Sequence, residues 1–338
     1  MRVSSPAGRA CARLLACCLF VFVLAAPASA QYTAPGQWHP VSELLLGTND
    51  AYAALDSYID AVRGLNGAAP VSIICSSSYV VSQLRYEFQA AGVNTPSVRY
   101  YTCALDSIWM RDYAPIFTQN ASGGVYCVDA RYYPERPNDD AFPYKFARFR
   151  GLGYTTIPLN YEGGNFMSDG RGRLFFSNDT YAENTQYSTT TVASYMKSRC
   201  GGTSVTTPTP LIDEGTGHID MYAKLTSATR VVVADYPAGH RQKARVDAAA
   251  TKFANLGITV VRAQMAIAED EYATYANAVF VNGVALVPKY FRAQDAAGLA
   301  AYSAAGFRAA GVDCREVIHI GGAMHCICYG VPTPVLVR

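Results

Sequence analysis

The chain of 338 residues has little charge and no excess of either sign: charged side chains make up 16% of it, with 28 bases against 26 acids. A balance of +2 gives no basic field that could hold a phosphate backbone, so nucleic acid is excluded as the expected partner. Beyond the N-terminal residues there is no apolar run long enough to span a bilayer, which argues against a membrane anchor in the mature chain. No Ser-, Pro- or charge-rich linker divides the sequence, and one compact domain is expected. Paired metal ligands at knuckle spacing are also lacking outside one Cys-x-Cys, so neither a metal nor a cofactor is expected. What the chain has in quantity is apolar surface to bury. Half of its residues are hydrophobic and 12% are aromatic, a profile that excludes disorder, collagen-like repeats and a small disulfide scaffold.

The first thirty residues read as a secretory leader. Arg2, Arg9 and Arg13 precede an apolar run from Leu14 to Ala26, and Ala28-Ser29-Ala30 supplies the small residues that signal peptidase requires. Cleavage before Gln31 is expected, with residues 31–338 as a single catalytic domain in an extracellular or periplasmic location. The mature chain would keep seven cysteines, an odd number. In an oxidising compartment Cys75, Cys103, Cys127, Cys200, Cys314 and Cys328 are then the expected members of disulfides, with one thiol left over.

Along the mature chain, amphipathic helices alternate with short β-branched runs. Apolar spacing predicts helices over Asp50–Arg63, Ser78–Ala91, Tyr187–Arg199, Lys243–Leu256 and Asp295–Ala310. Strands are predicted over Val71–Cys75, Val98–Tyr101, Val125–Val128, Leu174–Ser177, Val231–Ala234, Ile258–Val261, Val279–Val281, Ala285–Val287 and Val317–Ile320. The class is α/β. Polar clusters recur at strand ends around Asp112, Glu162, His218, Asn277 and Cys326, at steps of 50, 56, 59 and 49 residues. Such even spacing suggests a repeated ββαβ unit that delivers polar side chains to a common axis, with a first copy near residues 45–100 contributing less.

The chemistry concentrates in a thiol, an imidazole and two carboxylates. Gly321-Gly322 precedes Cys326, and a backbone without side chains lets a substrate approach a thiol closely, which makes Cys326 the candidate nucleophile. Two other readings stay open for this motif, a Cys-x-Cys metal site completed by His319 or His325, and a structural disulfide. His218 and Asp220 lie two apart, and on a strand both would face one ligand. With Asp112 as a second carboxylate and Trp109 as an aromatic wall, the set asks for a flat cation. A guanidinium, whose in-plane N–H groups match paired carboxylates, fits best.

Trp109-Met110-Arg111-Asp112-Tyr113-Ala114-Pro115, Glu162-Gly163-Gly164-Asn165, Gly217-His218-Ile219-Asp220, Tyr275-Ala276-Asn277 and Gly321-Gly322-Ala323-Met324-His325-Cys326-Ile327 occur in an order and spacing that resemble the bacterial-type peptidylarginine deiminase and agmatine deiminase family. The resemblance covers about residues 70 to 332. It implies a five-bladed α/β propeller, the pentein fold of guanidino-modifying enzymes, with its site in a central channel. It also implies that Asp112 and Asp220 clamp the guanidinium, that His218 acts as general acid and base, that Cys326 attacks the central carbon, that Asn277 supports the site and that Trp109 lines the pocket. Glu162 and Asn165 match a family motif and are read as supporting the catalytic groups from behind.

Export points to arginine in peptides or proteins as substrate, with citrulline as product, rather than to agmatine or another small guanidino compound. The family's peptidylarginine branch is implied to recognise a C-terminal carboxylate through two arginines spaced by one residue. In Tyr133-Pro134-Glu135-Arg136 only Arg136 fits, and Pro134 stands in the other place. Agmatine or another small guanidine is therefore the alternative substrate. Two further alternatives are a papain-like cysteine hydrolase built on Cys326 and His218, and a guanidinium-binding protein without turnover.

Overall fold

The computed structural model describes Met1, residues 32–93 and residues 95–334. Apart from Met1, the expected leader lies outside the described residues. Among those described, no helix is long and apolar enough to cross a membrane.

The described strands form five separate sheets of three or four strands, none closed on itself. Four follow one plan in chain order: an antiparallel hairpin, a crossover segment containing helix, and a third strand parallel to the second. Ala223–Ser227 pairs antiparallel with Arg230–Asp235, the helix Lys243–Asn255 crosses over, and Thr259–Gln264 returns parallel. Val279–Val281, Val284–Lys289, the helix Asp295–Ser303 and Arg308–Asp313 repeat it. The hairpin of that copy turns through Asn282 and Gly283, both with positive φ (46° and 84°), as a two-residue turn matched to strand twist requires. Ile116–Asn120, Val125–Arg131 and Gly153–Asn160 make another copy, edged by Tyr32–Thr33. Met167–Ser168, Arg173–Phe175 and Ser204–Thr206 make the smallest.

The fifth sheet joins the two ends of the described chain. Cys328–Pro332 pairs antiparallel with Val41–Thr48, which is followed in parallel by Val71–Cys75 and Val98–Thr102. The expected first copy and the Cys326 cluster thus belong to one sheet, and that sheet supplies the thiol.

Helices are placed by apolar spacing and capping. In Lys243–Asn255, Val246, Ala249 and Phe253 are buried on one face. Ser77 caps Ser78–Ala90 by accepting from the Val80 N–H at 3.3 Å, and Ser188 caps Thr189–Cys200 through Thr191 at 3.1 Å. Two expectations fail. Val317–Ile320, expected as a strand, lies at a short helix, Arg315–Ile318, whose Ile318 N–H returns to the Cys314 carbonyl. The helix expected over Asp295–Ala310 stops at Ser303, because the chain turns at Gly306 (φ 92°) and Arg308–Asp313 pairs in parallel with Val284–Lys289.

The disulfide expectation is corrected as well. Cys75, Cys103, Cys127, Cys200, Cys314, Cys326 and Cys328 are all free. Six are buried, Cys103 is half-buried, and burial raises the thiol values of Cys75, Cys127 and Cys200 to about 12. They act as small apolar residues within the packing.

Candidate active site

In four sheets the hairpin begins just after a polar station, and in the fifth the C-terminal edge strand does. Asp112 precedes Ile116–Asn120, Glu162 precedes Met167–Ser168, His218 and Asp220 precede Ala223–Ser227, Asn277 precedes Val279–Val281, and Cys326 precedes Cys328–Pro332. All six are buried. Loops at the strand starts bring them together, so residues more than two hundred positions apart share one site.

Cys326 is 3% exposed. Its Sγ accepts from Asn277 Nδ2 at 3.1 Å and lies 3.9 Å from Asp220 Oδ2. Asn277 Oδ1 in turn accepts from the backbone N–H groups of His325 (2.8 Å) and Cys326 (3.3 Å), so one amide fixes both the sulfur and the chain that carries it. Gly322 answers the need for close approach: a Cβ there would lie 2.6 Å from the Trp109 ring and 3.1 Å from Sγ. Half-buried Trp109 therefore stands beside the thiol, as expected of a wall residue.

His218 sits between two carboxylates. Its Nδ1 lies 3.6 Å from Asp112 Oδ1 and its Nε2 3.2 Å from Glu162 Oε2. Burial opposes charge on the ring, but Asp112 and Glu162 outweigh it and raise its value well above that of a free histidine. Glu162 is accordingly closer to the chemistry than its expected supporting place. Its other oxygen accepts from the Tyr133 hydroxyl at 2.6 Å. Asn165 keeps a supporting place: Oδ1 accepts from the N–H groups of Ser177 (2.7 Å) and Ile219 (3.2 Å), the latter the residue between His218 and Asp220.

Asp112, Glu162 and His218 offer ligand atoms within 4.8 Å of one another, the spacing of a cation site.

The two aspartates differ. Asp112 Oδ1 accepts from the Gly164 N–H at 3.1 Å; burial, followed by the charges of Glu162 and Asp220 against the pull of His218, raises its carboxyl well above the usual range. Asp220 is raised to about 6 by burial. Its Oδ2 meets His325 Nδ1 at 2.6 Å, while its Oδ1 is buried with no hydrogen-bond partner among the described residues. Cys326 is raised well above an ordinary thiol, first by burial and then by Asp220 and Asp112, so without substrate it is protonated.

Arg136 stands outside this cluster. It is half-buried over the rings of Tyr132 (5.8 Å) and Tyr133 (5.3 Å), and its Nη1 donates to the Tyr132 hydroxyl at 2.9 Å. Next to it a cavity of about 350 Å³ opens onto Glu162, lined also by Arg131, Tyr132, Tyr133, Pro134, Asn160, Tyr161 and Glu183. Tyr133 and Gln37, whose Oε1 lies 3.1 Å from His325 Nε2, carry no site signal in the sequence, which offers His325 only as a candidate metal ligand. His325 alone carried a signal, its place next to the nucleophile.

Gly164 tests how tightly the site is assembled. A Cβ there would lie 2.6 Å from Asp112 Oδ1 and closer still to His218 Nδ1. Gly164→Ala should lower kcat/KM for a guanidine substrate by about 10²-fold through displacement of the imidazole, with the melting temperature little changed. Steady-state kinetics beside a thermal melt check this, and unchanged kinetics would separate His218 from catalysis.

What such a pocket can hold is a flat cation, and the reaction open to a thiol at its centre is displacement of nitrogen from carbon. The class this defines is the guanidino-modifying deiminases, enzymes that act on guanidino C–N bonds. Residues 37–332 match the family described as Porphyromonas-type peptidyl-arginine deiminase, and the chain belongs to that family. A Vibrio parahaemolyticus protein named, provisionally, as an agmatine deiminase is 24% identical over 90% of this chain and 98% of its own length. The fold is that of agmatine deiminase of Enterococcus faecalis, with a TM-score of 0.82 at 18% identity over 90% of this chain and 97% of the other. It is likewise similar to a provisionally named arginine deiminase of Porphyromonas gingivalis, with a TM-score of 0.78 at 18% identity over 90% and 99% of the two chains.

Proposed function

We propose that the protein hydrolyses the guanidinium of a small, amine-bearing guanidino compound of the agmatine type to a ureido group, with release of ammonia, through a covalent intermediate on Cys326. The observation that carries this reading is the unpartnered Asp220 Oδ1, buried on a carboxyl whose other oxygen lies 3.9 Å from the sulfur. An in-plane N–H of a guanidinium would satisfy that oxygen while its carbon faces the thiol.

The cavity next to the site supports the small cationic substrate over a peptide. Its acids are Glu162 and Glu183 against one lining base, Arg131, its walls are tyrosines, and Arg136 is engaged with Tyr132 and Tyr133. Glu183 lies exposed at this cavity, where a second cation could meet its carboxylate. A C-terminal carboxylate would meet these two acids, with Arg131 as the lining base to offset them. The relatives named as agmatine deiminases point the same way, while the family itself takes its description from peptidyl-arginine. Peptidylarginine, the substrate expected from export, thus becomes the second reading.

In this mechanism the arriving cation offsets Asp112 and Asp220, and the Cys326 thiol releases its proton to water. Sulfur adds to the guanidinium carbon, Asn277 Nδ2 supports the sulfur, and the imidazolium of His218 gives its proton to the departing nitrogen, which leaves as ammonia. A thiouronium remains. Neutral His218 then takes a proton from water as the oxygen adds to the same carbon. The adduct collapses to the ureido product, and sulfur leaves with the hydroxyl proton as the resting thiol. The hydrolase alternative would need His218 paired with the thiol, whereas both ring nitrogens face carboxylates.

We further propose that the five sheets are blades about one axis within a single domain over residues 31–338, and that residues 1–30 direct export. The five stations at the strand starts support the first of these proposals. The substrate is tested by supplying agmatine, free arginine, a peptide ending in arginine and a peptide with internal arginine, with ureido product measured for each. Agmatine is expected to give the highest kcat/KM; a peptide preferred over agmatine would overturn the small-substrate reading.

A further inference from the structure

Behind the site lies a second histidine with no part in the steps above. His325 is fully buried, and both edges of its ring are gripped. Nδ1 lies 2.6 Å from Asp220 Oδ2, and Nε2 lies 3.1 Å from Gln37 Oε1, which also accepts from the buried Lys224 Nζ. Gln37 reaches this position from a loop about 290 residues earlier and is held there by a further bond, Nε2 to the Phe166 carbonyl at 3.3 Å.

We propose that His325 is a positioning residue for guanidinium capture: it pins Oδ2 of Asp220 through a shared proton, so that Oδ1 alone faces the substrate, and Gln37 with Lys224 fixes the ring in that orientation. The inference rests on the deiminase reading and deepens it by assigning the residue that sets the clamp.

The proton count follows from the partners. Nε2 faces an acceptor oxygen, so the neutral ring carries its hydrogen there. The proton in the short Nδ1 to Oδ2 contact is then held in common by carboxyl and imidazole. The groups around the ring are Asp220, Arg111, Lys224 and His218, with the thiols of Cys326 and Cys328. Burial, then Arg111, Lys224 and His218, oppose a charge on His325, so in the empty site a proton held by the pair rests toward Asp220, whose carboxyl burial raises to about 6, and it is present below about that pH. When a guanidinium cation meets Oδ1, the carboxyl O–H bond breaks as the Nδ1–H bond forms. The clamp becomes anionic and nothing leaves for solvent. Substrate capture is therefore insulated from pH over the range in which an isolated buried carboxyl would have to lose its proton to water.

The test is the pH dependence of KM for agmatine in wild type, His325→Leu and His325→Asn. Near pH 8, His325→Leu should raise KM about tenfold with a smaller change in kcat, and His325→Asn, whose amide can still hold Oδ2, should restore KM to within about threefold. On moving to about pH 5.5, KM should rise about tenfold in both variants and less than about threefold in wild type, because neither replacement accepts a proton. A purely structural role would change melting temperature without this pattern. KM of His325→Leu within about twofold of wild type at both pH values, with the fold intact by thermal melt, would overturn the proposal. Absence of ureido product from wild type with every guanidine would instead overturn the deiminase reading. His325 is then tested by calorimetric titration of agmatine into Cys326→Ala with and without His325→Leu. Weaker binding in the double variant supports the assignment; equal or undetectable binding overturns it.

Discussion

Cys326→Ala should reduce ureido product and ammonia to the assay floor, a loss of at least about 10⁴-fold, because the covalent step has no other sulfur to use. Cys328 is the nearest thiol in sequence, but its Sγ donates to the Met324 carbonyl at 2.9 Å, and burial raises its value to about 12. The exchange removes one buried atom, so stability should change by no more than about 1 kcal/mol and the variant should still bind agmatine. Those two controls make the result interpretable. Turnover retained in a well-folded Cys326→Ala would end the covalent scheme and leave only direct attack by water. Alkylation by iodoacetamide gives a second readout. Cys326 is protonated and nearly inaccessible at rest, so labelling should be slow, and a small guanidinium co-ligand that lowers its value without covering it should speed labelling.

His218→Gln should cost about 10²- to 10⁴-fold in kcat, the range for removing a positioned acid and base, with a smaller effect on KM. The companion variant Glu162→Gln addresses how the ring is held charged. Wild-type His218 has its value raised well above that of a free histidine by Asp112 and Glu162, so imidazolium persists to alkaline pH and the alkaline limb of kcat should lie correspondingly high. Removing the Glu162 charge should move that limb toward neutral pH; an unmoved limb would assign it to another group. The same linkage acts on stability. A histidine whose folded value is raised stabilises the fold fully below its unfolded value of about 6.5, and the contribution fades as pH rises through the folded value. Denaturation of Glu162→Gln should therefore differ from wild type most below pH ~6.5, and the gap should narrow on the alkaline side.

The parts of the molecule that were legible in the sequence are those whose signals are local. Val71–Cys75 and Val279–Val281 are strands over the predicted residues, and Lys243–Asn255 is a helix over all but the last predicted residue, because apolar period and flanking turn residues decided each. The Ala-rich stretch through Ala309 and Ala310 reads as helix from composition, yet parallel pairing with Ala285 and Leu286 makes it strand. Val317 and Ile318 read as strand because they are β-branched, but both are buried in a single helical turn beside the nucleophile's loop. Cysteine arithmetic misled for a related reason: parity says nothing about distance, and these thiols, all but Cys103 buried, have no disulfide partner among the described residues. The site residues carried by motifs could be named, since each motif stands just ahead of a strand. Tyr133 and Gln37 could not be, since their contacts with Glu162 and His325 span 29 and 288 positions and no local pattern encodes them.

The pairing of Cys328–Pro332 with Val41–Thr48 bears on when this enzyme can first work. Partners nearly the whole described chain apart meet late in folding, since the entropy of closing so large a loop must be overcome before the contact rewards it. Cys326 takes its position two residues ahead of that final zipper. A partly folded molecule would thus present its aspartates and imidazole without an aligned sulfur, and the activity should switch on in one event, as the seam draws shut.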